Sequence, residues 1–300
     1  MLATVWLRGE NPAGGMAERG PNRRKVMRGI RMPDESALTD ISQVSIVYRR
    51  KINKSEIPVC KILGVDIAAI DMNWLIEFTE KSLDKLRSDY FCVVNVYSDV
   101  TAYNDPEFCR VLNSAALCMP DGGPLSVVGS RRGHKKMQRT TGPDYMSEIF
   151  RRSAEHKWRH YFFGSTDETL IKLQKKLLEA YPDLEIAGMY SPPFHSMTVE
   201  EDQYMVQKIN ESKPDFLWVG LSCPKQEKWM YEHLGKVNGL MCGVGAGFDY
   251  HAGNILRAPE WMQAHNLEWV YRLIQEPKRL FKKYWHTNLK FIWLAMARGK

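Results

Sequence analysis

The sequence predicts an α/β fold in which a mostly parallel sheet is covered by helices on both faces. From residue 61 onward, short apolar runs alternate with longer amphipathic stretches, and the helix starts carry capping and proline signals. Strands and helices that alternate at this spacing are typical of βαβ units, whose parallel strands are buried on both sides. The expected architecture is Rossmann-like, with a helical appendage after residue 258.

Six apolar runs are predicted to be the strands, and seven amphipathic stretches are predicted to be helices. The strands are expected over residues 91–96, 117–119, 160–163, 185–189, 216–219 and 240–244. The helices are expected over residues 74–86, 106–115, 124–128 and onward, 145–156, 167–180, 199–210 and 226–234. Asp105 and Pro106 offer an N-cap and a first-turn proline, and the segment from Ser165 to Glu168 has the spacing of a capping box.

Composition divides the 300 residues into three regions. Residues 1–45 lack a sustained apolar period and are predicted to be a disordered leader, whereas residues 46–258 are expected to form the α/β domain. Residues 259–300 are predicted to be a basic, aromatic, helical appendage. Eight Lys and Arg residues but only two acidic residues follow residue 266, in a chain whose net charge is +7.

The appendage alternates bases with Trp, Tyr and Phe, a composition typical of a helix that lies in a membrane interface. A helix packed on the domain, with its aromatic side chains in the core, is the alternative, and the two are compatible. The longest apolar run here, residues 291–297, is far shorter than the roughly 20 residues that span a bilayer. With no secretory signal and six scattered cysteines, the sequence predicts a soluble or peripheral protein whose thiols are buried in a reducing cytosol.

Two strand–helix junctions carry a carboxylate and an arginine suited to a phosphorylated ligand. The first leads into Asp121, Gly122 and Gly123. These glycines let backbone N–H groups approach an anion, and Asp121 stands at the strand end, where a general base would sit. At the second junction, Arg139 and Thr141 can hold a phosphate or a carboxylate. A plain turn and a solvated arginine beside a helix cap are the structural alternatives.

Two further junctions follow apolar runs later in the chain. Lys225 and Gln226 lie at a helix start directly after residues 216–219, where they could contact a nucleotide; ordinary helix-start chemistry is the alternative. The glycine-rich segment 243–253 has GxGxG rather than GxGxxG spacing, and residues 248–253, which follow the GxGxG, do not look like a helix opening. The dinucleotide-binding fingerprint is therefore rejected.

No metal site and no cofactor are predicted. The eight histidines form no HxxxH or HxH pair that makes a convincing ligand set, and the DxD pair that often clamps a metal in nucleotide-sugar enzymes is absent. If the ligand is a diphosphate, its charge must be met by Arg, Lys and helix N-termini.

Taken together and in this order, the junctions and the appendage closely resemble the WecG/TagA/CpsF family, glycosyltransferase family 26. The matching strings are Val94-Asn-Val, Pro120-Asp-Gly-Gly-Pro-Leu, Arg139-Thr-Thr-Gly-Pro-Asp, Tyr161-Phe-Phe-Gly, Ser222-Cys-Pro-Lys-Gln-Glu-Lys, Gly243-Val-Gly-Ala-Gly-Phe-Asp, Arg257-Ala-Pro and Leu267-Glu-Trp-Val-Tyr-Arg-Leu with the following Glu-Pro-Lys-Arg. They cover roughly residues 60–285. The Gly-Gly-Pro-Leu after Asp121 looks nearer to the exopolysaccharide members, and Cys223 stands where a small residue is more familiar.

The resemblance implies an inverting, metal-independent transfer of N-acetylmannosamine or a related hexose from a UDP-sugar. The acceptor would be an undecaprenyl-diphosphate-linked sugar at the cytoplasmic face of the membrane, and the product would enter a cell-surface polysaccharide. The expected partners are therefore this donor, this lipid-linked acceptor and an anionic membrane surface, and the expected location is cytoplasmic, peripheral on the inner face of the plasma membrane. A homo-oligomer is left open.

Carried over by position, the resemblance makes Asp121 the base that deprotonates the acceptor hydroxyl, with Asn95 and Arg139 in the same pocket. Gln226 would contact the donor, and Arg272 and Arg279 of the appendage would neutralise the departing diphosphate. The other substrate-binding residues that it implies are Gly122, Gly123, Thr141, Gly164, Lys225, Gly245, Phe248 and Asp249.

Two other classes of function stay open from the sequence. One is a nucleotide-dependent oxidoreductase, which the failed glycine fingerprint disfavours. The other is a non-catalytic basic protein that binds a membrane or a nucleic acid. No nucleic-acid-binding module accompanies the basic segment, so no nucleic-acid partner is expected.

Overall fold

The computed structural model describes residues 50–297 except residues 194, 196 and 266; it leaves undescribed the side chains of residues 264, 279, 280, 282–286, 296 and 297. The strands are β1 (Val59–Ile62), β2 (Val65–Ala68), β3 (Tyr90–Val94), β4 (Leu117–Pro120), β5 (Arg159–Gly164), β6 (Glu185–Tyr190), β7 (Phe216–Gly220) and β8 (Leu240–Gly243). The helices are α1 (Met72–Leu86), α2 (Val96–Asn104), α3 (Pro106–Asn113), α4 (Gly123–Arg131), α5 (Gly142–His156), α6 (Asp167–Ala180), α7 (Val199–Glu211), α8 (Lys225–Glu232), α9 (Gly247–Ala252), α10 (Glu260–Ala264), α11 (Glu268–Gln275) and α12 (Pro277–Ala297). The predicted leader, residues 1–45, lies outside the described residues.

Strands β3 to β8 form one sheet in the order β4-β3-β8-β7-β5-β6, and every neighbouring pair in it is parallel. The predicted α/β fold with a mostly parallel sheet is confirmed. β1 and β2 form a separate antiparallel hairpin that was not predicted. The chain runs outward from β3 to β4 and then returns to the other half of the sheet. In such sheets a ligand crevice opens at the carboxyl ends of the strands, where the strand order changes direction.

Successive residues of each strand point into two separate cores, one on each face of the sheet. In β7, Leu217 and Val219 belong to the core that includes residues of α2, α3, α7, α8 and α12. Phe216 and Trp218 belong to the core that includes residues of α1, α5, α6 and α9. Because helices cover both faces, strands such as β3 are buried throughout, which explains their continuous apolar sequences.

The first sheet strand ends earlier than predicted, and a helix follows it. The prediction extended this strand through Val96, whereas β3 ends at Val94 and Val96 begins α2. Asn95 ends the strand and starts the helix, because its side-chain oxygen accepts hydrogen bonds from the backbone amides of Tyr97 and Ser98, at 3.0 and 3.1 Å. The Ser98 hydroxyl accepts in turn from the Asn95 amide at 2.8 Å, which completes a capping box.

Two other local predictions were wrong. The residues that follow the GxGxG do form a helix, α9, which begins at Gly247 without a side-chain cap and so gives no start signal in the sequence. The capping box predicted from Ser165 does not form. Thr166 is the N-cap of α6 and accepts from the Thr169 amide, while Ser165 has a positive φ of 62°. The predicted cap and first-turn proline at Asp105 and Pro106 are confirmed.

The described residues after 259 lie mostly in helices α10, α11 and α12, as predicted, and α12 packs against α2. Phe291 and Leu294 of α12 are buried in the core, whereas Ile292 and Trp293 on the same helix are exposed. The packing predicted as one alternative for the aromatic tail therefore occurs on one face of α12, whereas contact with a membrane stays a prediction. None of the helices within the described ranges is long and apolar enough to cross a bilayer.

Candidate active site

A cavity of about 740 Å³ opens at the carboxyl edge of the sheet, where the strand order changes direction. Loops that follow β3, β4, β5, β7 and β8 form its floor, and α11 and α12 form one wall. Most of the predicted site residues line it: Asn95, Asp121, Gly122, Gly123, Arg139, Thr141, Gln226, Gly245, Asp249 and Arg272. The parallel topology thus brings together residues that lie far apart in sequence.

Three predicted site residues do not line the cavity. Gly164 has a φ of +124°, and a Cβ there would lie 2.6 Å from the backbone of Gly220, so glycine allows β5 and β7 to approach closely. Phe248 is buried and packs edge-on against Phe162, and Lys225 is exposed to solvent. The side chain of Arg279 lies outside the described residues, so its predicted contact with a diphosphate stays a prediction.

Asp121 is the carboxylate at the end of β4. Its backbone amide donates to the Val94 carbonyl at 2.8 Å, which fixes the residue beside β3. Burial raises the pKa of Asp121 to about 7; the charges of Arg139 and Arg272 act in the opposite direction, and those of Glu268 and Asp144 add to the rise. A carboxyl group with this pKa can hold or release a proton at neutral pH, as a general base must.

Arg139 lines the cavity and is also joined to the appendage. Its Nη2 donates to a carboxylate oxygen of Glu268, the first residue of α11, and its Nη1 donates to the carbonyl of Gln263 at 3.2 Å. The side chains of Arg139 and Glu268 are both largely buried, at 15% and 16% exposure. The cation that the sequence predicted for a phosphate therefore already has an anionic partner within the chain.

The same carboxylate also lies against a second arginine. Arg257 Nε is 3.0 Å from Glu268 Oε1, close enough for an ion pair although not aligned for a hydrogen bond. Arg257 Nη1 donates to Asp144 at 2.8 Å, and Asp144 accepts the hydroxyl of Thr141 at 2.5 Å. Burial would raise the pKa of Asp144, but these hydrogen bonds and the guanidinium charge outweigh it and hold the pKa below its usual range.

Tyr250 lies between two guanidinium groups at the cavity wall. The centre of its ring is 5.5 Å from Arg257 Cζ and 5.6 Å from Arg272 Cζ, within the range of cation–π contacts. Burial raises the pKa of Tyr250 to about 12, so its hydroxyl stays protonated at neutral pH. Arg272 Nε also lies 3.9 Å from Oε1 of Glu276, the C-cap residue of α11. These contacts hold the Arg272 guanidinium at the cavity.

Gln226 shapes the glycine-rich turn after β8. Its side-chain oxygen accepts from the Gly245 amide at 3.1 Å, and its side-chain nitrogen donates to Glu227 at 2.9 Å. Gly245 has a φ of +53°, a conformation that glycine adopts without the steric cost of a side chain. Gln226 therefore fixes the turn that lines the cavity, in addition to facing the cavity itself.

Several cavity residues were not predicted from the sequence. They include Tyr97, Ser165, Ser222, Cys223, Tyr250, Glu268 and Trp269, together with apolar residues of α12. Tyr97 was missed because α2 was missed. Glu268 and Trp269 stand inside one of the strings that carry the family resemblance, and that position was the only signal for them.

The predicted free thiols are confirmed for all six cysteines, four of which are buried. Within the described part of the chain, no group of three or more His, Cys, Asp or Glu side chains could hold a metal ion.

The cavity lies where the strand order of a parallel sheet changes direction, and it holds Asp121, whose pKa is raised to about 7, together with Arg139 and Arg272. Such an arrangement suits a transfer reaction on a phosphorylated ligand. The sequence model of the glycosyl transferase WecG/TagA/CpsF family matches residues 60–300. The chain therefore belongs to this family and is a glycosyltransferase.

The chain is similar to several named bacterial enzymes. An N-acetylglucosaminyldiphosphoundecaprenol N-acetyl-beta-D-mannosaminyltransferase of Bacillus subtilis (strain 168) is 31% identical over 223 residues, which are 72% of this chain and 85% of the relative. Proteins with the same name from Bacillus spizizenii and Staphylococcus aureus (strain MW2) are 30% and 26% identical, over 66% and 73% of this chain and 75% and 85% of their own lengths. The nearness to exopolysaccharide members predicted from the Gly-Gly-Pro-Leu string stays a prediction.

Proposed function

We propose that the protein transfers N-acetylmannosamine or a related hexose from a UDP-sugar to an undecaprenyl-diphosphate-linked sugar, with inversion at the anomeric carbon and without a metal ion. The names of the similar proteins support the type of sugar and the lipid-linked acceptor. The observation that carries the proposal is Asp121, whose pKa is raised to about 7 in a cavity that also holds Arg272. The product would enter a cell-surface polysaccharide.

Asp121 is proposed as the base of a direct displacement. Its carboxylate takes the proton of the acceptor hydroxyl while that oxygen forms a bond to the anomeric carbon of the donor sugar. The bond between this carbon and the diphosphate oxygen breaks, and the diphosphate leaves with the electron pair as UDP. A single attack from the face opposite the leaving group inverts the configuration of the anomeric carbon.

The charge that develops on the diphosphate needs a cationic partner. Arg272 faces the cavity, and the first turn of α4 at Gly122 and Gly123 presents backbone amides at the positive end of a helix dipole. Groups fixed in this way stabilise developing negative charge without reorganisation. Arg139, which pairs with Glu268, is proposed to act on the site through that contact, and Asn95 through its cap of α2.

A nucleotide-binding screen tests the proposed donor. UDP-sugars are expected to stabilise the protein by about 2.7 kcal/mol at a ligand concentration 100 times Kd, because binding to the folded state alone shifts the unfolding equilibrium. The stabilisation should persist with EDTA present. Thermal unfolding is measured with UDP, UDP-sugars, GDP-sugars and NAD. Stabilisation by NAD but by no uridine nucleotide would contradict the proposal, and loss of the UDP-sugar effect in EDTA would contradict metal independence.

We further propose that the exposed face of α12 contacts the inner face of the plasma membrane, which brings the cavity to its lipid-linked acceptor. Trp293 is 68% exposed and Ile292 is 53% exposed, although both are large and apolar. The buried Phe291 and Leu294 fix the opposite side of the helix to the core. Interfacial helices that combine basic and aromatic residues bind anionic bilayers in this way.

Trp293→Glu is therefore expected to lower binding to vesicles that contain anionic lipid at least tenfold, because it removes a large apolar group and adds a charge of the same sign as the lipid. Vesicle co-sedimentation measures the effect. Ile171→Glu is the matched control, since Ile171 is 69% exposed on α6. Equal vesicle binding by wild type and Trp293→Glu would rule out this membrane contact.

A further inference from the structure

Glu268 joins three parts of the chain beside the cavity. It is the first residue of α11, and its carboxylate meets Arg139 from the segment before α5 and Arg257 from the segment after α9. Arg257 continues the chain of charges to Asp144 in the first turn of α5. Two cations and two anions thus alternate across the junction between the α/β body and the appendage.

The pair formed by Glu268 and Arg139 is not an ordinary surface ion pair. Exposed pairs stabilise a protein little, because both charges remain well solvated. Glu268 and Arg139 are about 16% and 15% exposed, and loss of one partner would leave the other charge largely buried and unpaired. Gln263 strengthens the junction further: its carbonyl accepts from Arg139 and its side-chain oxygen accepts from Arg257 at 2.8 Å.

The helix that Glu268 begins, α11, also carries side chains that line the cavity. Trp269 follows Glu268 directly, Arg272 lies one turn further along α11, and both side chains line the cavity. Tyr250 contacts both Arg257 and Arg272, so the ion-pair chain and the cavity wall share a residue. A shift of α11 would therefore move the Arg272 guanidinium relative to Asp121.

We infer that Glu268 is a positioning residue for sugar transfer, whose carboxylate bridges Arg139 and Arg257 and so holds α11 and Arg272 over Asp121. The inference rests on the proposed function for its catalytic consequence. The anchoring of α11 by Glu268 does not depend on that function.

Glu268 also acts on the charge environment of Asp121. The charged groups that face Asp121 are Arg139, Arg272, Glu268 and Asp144; the two carboxylates raise its pKa, and the two guanidinium groups lower it. Replacing Glu268 by a neutral side chain removes one anion and leaves the charge of Arg139 uncompensated. Both changes favour the ionised form of Asp121.

The test uses the full-length protein and the variants Glu268→Gln and Glu268→Asp. Glu268→Gln is expected to lower kcat/KM about 100-fold, because small displacements of catalytic groups have effects of this size. The acid limb of its pH–rate profile should move to lower pH. Hydrogen exchange in peptides that cover residues 267–276 should become faster. Glu268→Asp, which keeps the charge, should keep the acid limb of the wild type.

Glu260→Gln is the matched control, because Glu260 is an exposed carboxylate of the same appendage. It should leave the rate, the pH profile and the exchange unchanged.

Unchanged exchange and an unchanged acid limb in Glu268→Gln would overturn the inference. If the wild type itself transfers no sugar, the proposed function fails, and faster exchange in Glu268→Gln would still support the anchoring role. If Glu268→Gln does not fold, Glu268→Asp is the deciding variant. Slower transfer by Glu268→Asp, with the acid limb of the wild type, would support the inference. A kcat/KM and a hydrogen-exchange rate equal to those of the wild type would overturn it.

Discussion

Asp121→Asn is expected to lower kcat by about 10²–10⁴-fold, the range that positioned general bases contribute. The amide keeps the shape of the side chain but cannot accept the proton of the acceptor hydroxyl. Substrate binding should change much less than kcat, since the proton is transferred only in the chemical step. Steady-state kinetics with saturating donor and acceptor measure the effect.

The pH dependence of the wild-type rate tests the role of Asp121 as the base independently. Because the pKa of Asp121 is raised to about 7 and the base acts in its ionised form, the rate should rise through about pH 7 and level off above it. The residual rate of Asp121→Asn should lack this ionisation. Asp183→Asn, at an exposed aspartate before β6, serves as the control. An unaltered kcat in Asp121→Asn would remove this residue from the chemistry.

Arg272→Ala is expected to give the second largest loss, about 10²–10³-fold in kcat, comparable with removal of one donor that stabilises a developing negative charge. The Arg272 guanidinium is proposed to stabilise the negative charge on the departing diphosphate. This guanidinium is partly buried in the cavity. Arg272→Lys should recover part of the rate, because it keeps the charge but not the planar arrangement of donors.

A matched arginine separates this effect from a general loss of positive charge. Arg110→Ala removes an exposed guanidinium from α3 and should leave kcat unchanged. Donors with better leaving groups should lose less rate in Arg272→Ala than UDP-sugars do. If the loss were the same for every leaving group, Arg272 would act on something other than the diphosphate.

The regular elements could be predicted because periodicity and burial agree in them. The helix predicted over residues 167–180 is α6 with the same bounds, and the apolar run 216–219 is β7 to within one residue. α2 was missed because Val96 continues the apolar run of β3, and only the hydrogen bonds of the Asn95 side chain end the strand at Val94. A local cap of this kind competes with a hydrophobic pattern that looks uninterrupted in the sequence.

The location of the site was predictable for a different reason. Asp121, Gln226 and Gly245 follow three strands of one parallel sheet, and the carboxyl ends of such strands share an edge. The partner of Arg139 was not predictable, because Glu268 lies 129 residues away and belongs to a helix outside the sheet. Sequence patterns indicate which side chains lie on each face of a helix or strand. Ion pairs between side chains of different elements depend on how the helices pack against one another.

The most direct test of the central claim is a transfer assay with the full-length protein, UDP-N-acetylmannosamine and an N-acetylglucosaminyl-diphospho-lipid acceptor, in the presence of EDTA. The account predicts that a disaccharide lipid and UDP form in equal amounts, with a β linkage that NMR identifies, and that Asp121→Asn forms neither above background. Release of UDP without a lipid-linked disaccharide, or a product whose formation does not depend on Asp121, would contradict it.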